Sequence, residues 1–238
     1  MATLEELINR MYDMVQDAKG IPLAGEKCIV ERDHMLDMLD ELREALPNDL
    51  QQAQEIVAKR SEMLASGKRE AEAIRRKAEI MVDHFIAQVA GKQKIGGKAR
   101  AMIVCNGIER AIDYWREVSD YLTQIKSPYK AIVAYSGDFE IGGQKKTEAD
   151  LNGFPSKDIP ANLKQDPYRF LIVANKFVTG FDEPLLHSMY VDKPLAGVLA
   201  VQTLSRLNRA HPQKHDTFVL DFADNTEAVK AAFQDYYR

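Results

Sequence analysis

The segment "QTLSRLNRAH", residues 202–211, sets an amide and two guanidiniums at a helical spacing. Gln202, Arg206 and Arg209 fall at i, i+4 and i+7, which share one face of an α-helix. Such a face suits a phosphate-bearing ligand, because arginine offers a planar fork of N–H donors. The same spacing equally describes a solvated surface paired with nearby carboxylates. Upstream, "VTGFDEP", residues 178–184, puts the Thr179 hydroxyl and the Asp182 carboxylate on one short turn. Gly180 permits close backbone approach to a ligand there, and Pro184 disfavours helix at the residue before it. Taken alone, that turn reads as a ligand contact or as a structural corner.

Those residues need elements to hold them. From residue 99 onward, "ARAMIVCN", "YKAIVAYS", "RFLIVAN", "SMYVDK" and "TFVLDF" are apolar throughout, as strands buried on both faces are. Between them, "GIERAIDYWREVSDYLTQI" and "LAGVLAVQTLSRLNRA" have helical length and spacing. The alternation predicts a parallel α/β sheet flanked by helices. Ligands of such sheets collect beyond the carboxyl ends of the strands. That rule singles out Asn106 and Gly107, Ser136 and Gly137, residues 176–182, and residues 221–224. The polar, Gly-rich stretch 137–158 reads as a mobile or functional loop.

Residues 1–90 have a different texture. Leu36, Leu39, Leu46, Leu50, Ala53, Val57, Leu64, Ala71, Ile74, Ala78, Met81 and Phe85 fit one heptad register, interrupted by Arg43, Arg60 and Gly67. Pro47 is expected to end a first helix (31–46), with Asn48 and Asp49 capping a second (48–88). This arm reads either as a coiled coil that self-associates or as an amphipathic segment packed on its own domain. The division expected is an arm, 1–90, and a lobe, 91–238.

The bulk composition is that of a soluble globular protein: 238 residues, 45% hydrophobic, 29% charged and a net charge of −4. It carries no overall basic field that would mark a nucleic-acid binder, although a local basic face remains compatible with it. Cys28 and Cys105 lack metal-ligand spacing and read as reduced thiols of a cytoplasmic protein. No metal-ligand set is recognised, and no apolar run reaches the length of a membrane span.

Thr-Gly-x-Asp after one strand, then Gln-x-x-x-Arg-x-x-Arg on the next long helix, resembles motifs V and VI of superfamily 2 helicases. The longer string "FLIVANKFVTGFDEPLLHSMYVDKPLAGVLAVQTLSRLNRAHPQK" resembles the second RecA-like motor lobe of the R subunit (HsdR) of type I restriction enzymes. "VAGKQKIGGKARAMIVCNGIERAIDYW" resembles the entry to that lobe, so the likeness covers about residues 75–238. It implies a RecA-like α/β fold, with Arg209 as arginine finger and Arg206 beside it at the ATP phosphates. It further implies that Gln202 shapes the nucleotide pocket, and that Gly180 and Asp182 couple nucleotide state to the lobe interface. Thr179, Ser136 and Gly137 would touch the backbone of double-stranded DNA. The chain departs from the pattern at Asn106-Gly107, where a Ser or Thr is expected, and at Asn208 between the arginines.

A Walker A loop, a Walker B strand and the nuclease signature of such subunits are not found in these residues. "GKQKIGGKA", residues 91–99, imitates a Walker A loop but has its lysine displaced and no Ser or Thr following. ATP and Mg would therefore be held mainly by a first RecA-like lobe, with the other restriction-enzyme subunits as further partners. "GIPLAGEKCIVERDHMLDMLDELREALPNDLQQAQEIVAKRSEMLASGKREAEAIRR" is similar to DivIVA-like coiled-coil proteins, which carry no catalytic residue. Two functions follow. One is a fragment of an ATP-dependent DNA translocation motor without turnover of its own. The other is a non-enzymatic oligomerising scaffold carrying a vestigial lobe.

Overall fold

The computed structural model describes residues 4–21, 27–178 and 180–236, which divide into two compact units, 1–69 and 70–238. In the first unit, helix α1 (Leu4–Gln16) is followed by a short antiparallel ladder of β1 (Lys19–Gly20) and β2 (Cys28–Ile29), then by the start of helix α2 (Arg32–His84). Two expectations are corrected here. The arm is interrupted by a small β ladder, and α2 runs as one helix of 53 residues with no break after Leu46. A proline inside a helix removes one backbone donor and crowds the preceding turn, which can kink a helix without ending it. Leu36, Leu39, Leu46, Leu50, Val57 and Leu64 are all exposed, while among the described residues of this unit Leu7 and Met38, off the heptad seam, are buried.

The second unit starts at Glu70 because the last turns of α2 turn an apolar face inward. Ile74, Ala78, Met81, Val82 and Phe85 are buried in its core, so the boundary expected at 90 lies at 69/70. After a π-helical turn at Phe85–Ala90, strand β3 (Arg100–Cys105) leads into α3 (Ile108–Gln124) and β4 (Lys130–Ala134). The hairpin β5 (Asp138–Ile141) and β6 (Gln144–Thr147) precedes the short helices α4 (Glu148–Asn152) and α5 (Ile159–Leu163). The chain ends with β7 (Tyr168–Val173), β8 (Leu186–Asp192), α6 (Gly197–Leu204), β9 (Phe218–Asp221) and α7 (Thr226–Tyr236).

Five strands form one parallel sheet in the order β4-β7-β3-β8-β9, so each expected strand is present. Its residues alternate between two cores, as the pleat requires. Ala101, Ile103, Phe170 and Ile172 meet α3 and the end of α2, while Met102, Val104, Leu171 and Val173 meet α5, α6 and α7. The β3–β8 register passes from Arg100↔Leu186 to Ala101↔Ser188, so His187 is the extra residue of a bulge. Among the described residues no helix is long and apolar enough to cross a membrane.

Stretch 137–158 is ordered structure rather than an irregular loop. Gly142 (φ 58°) and Gly143 (φ 77°) supply the left-handed pair that a tight hairpin turn needs. The helix that follows covers the open edge of β4. Asn152 accepts from Val133 N–H (3.0 Å) and donates to Val133 O (2.7 Å), and Glu148 Oε2 accepts from Tyr135 N–H (2.7 Å). Side chains thus replace the missing neighbouring strand. Asn152→Ala is expected to destabilise the protein by about 1–3 kcal/mol, seen as a lower urea midpoint. An unchanged midpoint would mean that this edge needs no cover.

Candidate functional site

Strands β7 and β8 both pair with β3, one on each side, and residues 174–185 join them. Among its described residues this connection has no helix, so its own side chains hold it. Val178 and Phe181 are buried, and the Phe177 and Phe181 rings pack 4.6 Å apart. Gly180 (φ 71°) and Asp182 are left exposed between these anchors. Glu183 is buried again. Its Oε1 accepts from Leu185 N–H (3.0 Å), and its backbone oxygen accepts from Leu186 N–H (3.1 Å) at the first residue of β8.

Helix α6 arrives beside this loop and ends at Leu204, continuing as a 3₁₀ turn over Ser205–Asn208. Arg209 is already extended, with ψ 126°. Gln202 and Arg206 therefore do not share a continuous α-helical face with Arg209. Hydroxyls and a guanidinium add bonds from one turn later to carbonyls of the ending helix. Thr203 donates to Leu199 O (2.7 Å), Ser205 to Val201 O (2.5 Å) and Arg206 Nε to Gln202 O (3.1 Å).

The loop and the helix end are joined at three places. Arg206 Nη1 donates to Phe181 O (3.0 Å), Arg209 Nε lies 3.1 Å from Asp182 Oδ1, and Lys214 Nζ donates to both Pro184 O (3.3 Å) and Arg209 O (3.2 Å). Burial lowers the Lys214 pKa from its ordinary value, with Glu183 opposing that shift. The structure thus brings together Gly180, Asp182, Gln202, Arg206 and Arg209. Arg206 is half-buried and committed to two carbonyls, whereas Arg209 is exposed and paired with an exposed carboxylate. Lys214 was not singled out by the motifs, because a lysine within "PQKHD" carries no pattern of its own.

The location differs from the expected one. Residues 183–186 stand at the amino end of β8, where Arg100, the first residue of β3, donates its N–H to Leu185 O (2.8 Å). The Arg209–Asp182 pair, beside them, therefore lies toward the amino ends of the strands. At the carboxyl end of β8, Asp192 is held by Lys77 Nζ (2.7 Å) and Tyr114 OH (2.7 Å), side chains of the covering helices. Burial and Asp192 both raise the Tyr114 pKa, which keeps the phenol protonated. Ser136 and Gly137 follow β4 at its carboxyl end, on the edge strand and apart from the arginines. Lys176 pairs there with Glu148. Thr179 lies outside the described residues.

A family model, type I restriction enzyme subunit R domain 3, matches residues 149–224. That segment contains the loop, α6 and both arginines, but neither Ser136 nor Gly137. The HindI endonuclease subunit of Haemophilus influenzae is 34% identical over 30% of this chain and 7% of its own length. The putative MjaIXP endonuclease subunit of Methanocaldococcus jannaschii is 24% identical over 91% of this chain and 20% of its own. The chain thus spans a minor part of these relatives. The second alignment is too long to be confined to residues 75–238, so it takes in part of the arm, and the DivIVA-like resemblance finds no support. Among solved structures, the C-terminal part of the Fun30 ATPase domain aligns at 12% identity and a TM-score of 0.39, covering 66% of this chain and 44% of its own.

A surface ion pair of this exposure contributes little to folding. Asp182→Asn is expected to change unfolding free energy by less than about 1 kcal/mol, measured by urea denaturation. A clearly larger loss would make the pair a structural clasp rather than a group free to exchange partners.

Proposed function

We propose that this chain supplies the second motor lobe of a type I restriction endonuclease R subunit, with no ATP turnover of its own. The observation that supports it most is a coincidence. The R-subunit domain 3 match, residues 149–224, covers the place where the exposed Arg209 meets the exposed Asp182 of the β7–β8 connection. In this reading a separate RecA-like lobe holds ATP and Mg, and Arg209 is the arginine finger that neutralises charge developing on the transferred phosphoryl group. Its pair with Asp182 is exposed, so a phosphate delivered by that lobe can replace the carboxylate at small cost. Arg206 is the positioning residue, fixing the helix end to the loop, and Gln202 borders the nucleotide.

Gly180 and Asp182 then couple nucleotide state to the lobe interface. Thr179, Ser136 and Gly137 are the DNA-backbone contacts, and other restriction-enzyme subunits supply the remaining partners. The residues 1–238 in isolation are expected to hydrolyse ATP no faster than a buffer control, with or without DNA. In an intact R subunit, Arg209→Ala is expected to lower turnover by about a thousandfold or more, with DNA affinity nearly unchanged. Equal losses in both would mark Arg209 as a DNA contact instead.

The exposed seam of α2 favours a second reading, in which the arm of an otherwise non-enzymatic scaffold self-associates. Leu46, Leu50, Val57 and Leu64 are each roughly half or more exposed, at 47%, 59%, 67% and 67%. Apolar stripes of that length are covered in coiled coils. Sedimentation at rising concentration is expected to show a dimer under this reading. A strict monomer at high concentration rules it out.

A further inference from the structure

The Walker-like string "GKQKIGGKA" is left without a role by the motor reading. In the structure it cannot be a Walker loop, because it leaves a helix and enters a strand, the reverse of the strand–loop–helix order. It folds instead as a run of tight turns, with Gln93 (φ 53°), Ile95 (φ 51°), Gly96 (φ 59°) and Gly97 (φ 79°) all left-handed. This brings it against the segment before β9. A Cβ on Gly96 would stand 2.5 Å from Gln213 Oε1, so glycine is what lets that amide approach. Lys94 pairs with Asp216, which also accepts from or pairs with His187 Nε2 (3.1 Å).

Between the two segments lies a cleft of about 450 Å³, lined by Lys92, Gln93, Lys94, Gln213, His215 and Asp216. Its single aliphatic neighbour, Ile95, is buried beneath it. Lys94 neutralises the Asp216 carboxylate, and among the described residues no carboxylate pairs with Lys92. The flanking residues add Lys98, Lys214 and Arg209, the last paired with Asp182, with no further acidic group in 91–99 or 209–217. The chain as a whole is acidic, so this is a local reversal of sign.

We propose that this cleft seats a phosphate of a nucleic-acid backbone, with Lys92 as the cationic partner and the His215 ring N–H and the Gln93 and Gln213 amides as donors. The lining decides the class of ligand. The lining holds no Phe, Tyr or Trp, and its aliphatic side chain Ile95 is buried beneath it, so the phosphate arrives on a chain whose bases stay outside. Nor is there the apolar centre that a protein partner's interface would need. Lysine serves phosphate as a point charge without demanding one geometry. The site is independent of the arginine reading, because Gln202, Arg206 and Arg209 do not line it.

The test is fluorescence anisotropy of a short labelled DNA duplex with the full chain over a salt series. The variants are Lys92→Glu, His215→Ala and, as a control on the β5–β6 hairpin, Lys145→Glu. Lys92 and His215 are exposed, so both variants should fold, which far-UV circular dichroism checks. Lys92→Glu is expected to weaken binding about tenfold at 0.1 M salt and to reduce the salt slope by about 1. His215→Ala is expected to weaken it less, and Lys145→Glu to leave it within about twofold. Inorganic phosphate and ATP, as competitors, are expected to displace the duplex only in large excess. The proposal is overturned if the chain binds no duplex, if Lys92→Glu behaves like the control, or if inorganic phosphate competes as well as DNA phosphate does. The last outcome would make the cleft a free-oxyanion site.

Discussion

The candidate site depends on one topological constraint: two strands on opposite sides of β3 run parallel, and only residues 174–185 join them. The chain must therefore travel from the carboxyl end of β7 to the amino end of β8. Parallel crossovers usually do this with a helix, whose backbone satisfies itself. Here the route is held by Val178 and Phe181 in the core and by Glu183 at its far end. Gly180 and Asp182, next to these anchors, are exposed. The same route carries Asp182 toward the amino end of the sheet, where α6 ends and Arg209 can meet it.

Charge is divided between the two ends of the sheet. At the carboxyl end, the protein's own side chains occupy the place where sheet ligands usually bind, with Lys77 and Tyr114 closed onto Asp192. At the amino end, Arg100 and Arg169 are buried and spread over backbone carbonyls and Asp166. Burial and the neighbouring Arg169 lower the Arg100 pKa to about 10. Outside those buried cations stand the exposed ones: Lys92, Lys98 and Arg209. Among the described residues no carboxylate pairs with Lys92 or Lys98, and Arg209 is held only by the exposed Asp182, which suits contact with phosphates presented by another body rather than an enclosed pocket.

The strands were legible because each is apolar throughout, and a sheet covered on both faces demands that. Arg206 and Arg209 were legible as a pair from spacing, and Gly180 and Asp182 from the turn that holds them. The i, i+4, i+7 spacing did not show that the α-helix ends at Leu204 and that Arg209 is extended, so the shared helical face is absent. The hairpin at 138–147 was missed because its strands are polar and short; the Gly142-Gly143 pair was the available signal. The arm boundary was misplaced because one heptad pattern runs through both units, and periodicity does not say which partner covers it. Bulges such as that at His187 leave no mark in a single sequence.

The most direct measurement of the central claim is a structure of the proposed intact R subunit bound to an ATP transition-state analogue. The account predicts that the Arg209 guanidinium leaves Asp182 and lies about 3 Å from the analogue's phosphoryl mimic, with Arg206 still bonded to the 181 carbonyl. An Arg209–Asp182 pair that stays closed while the analogue binds elsewhere would contradict it.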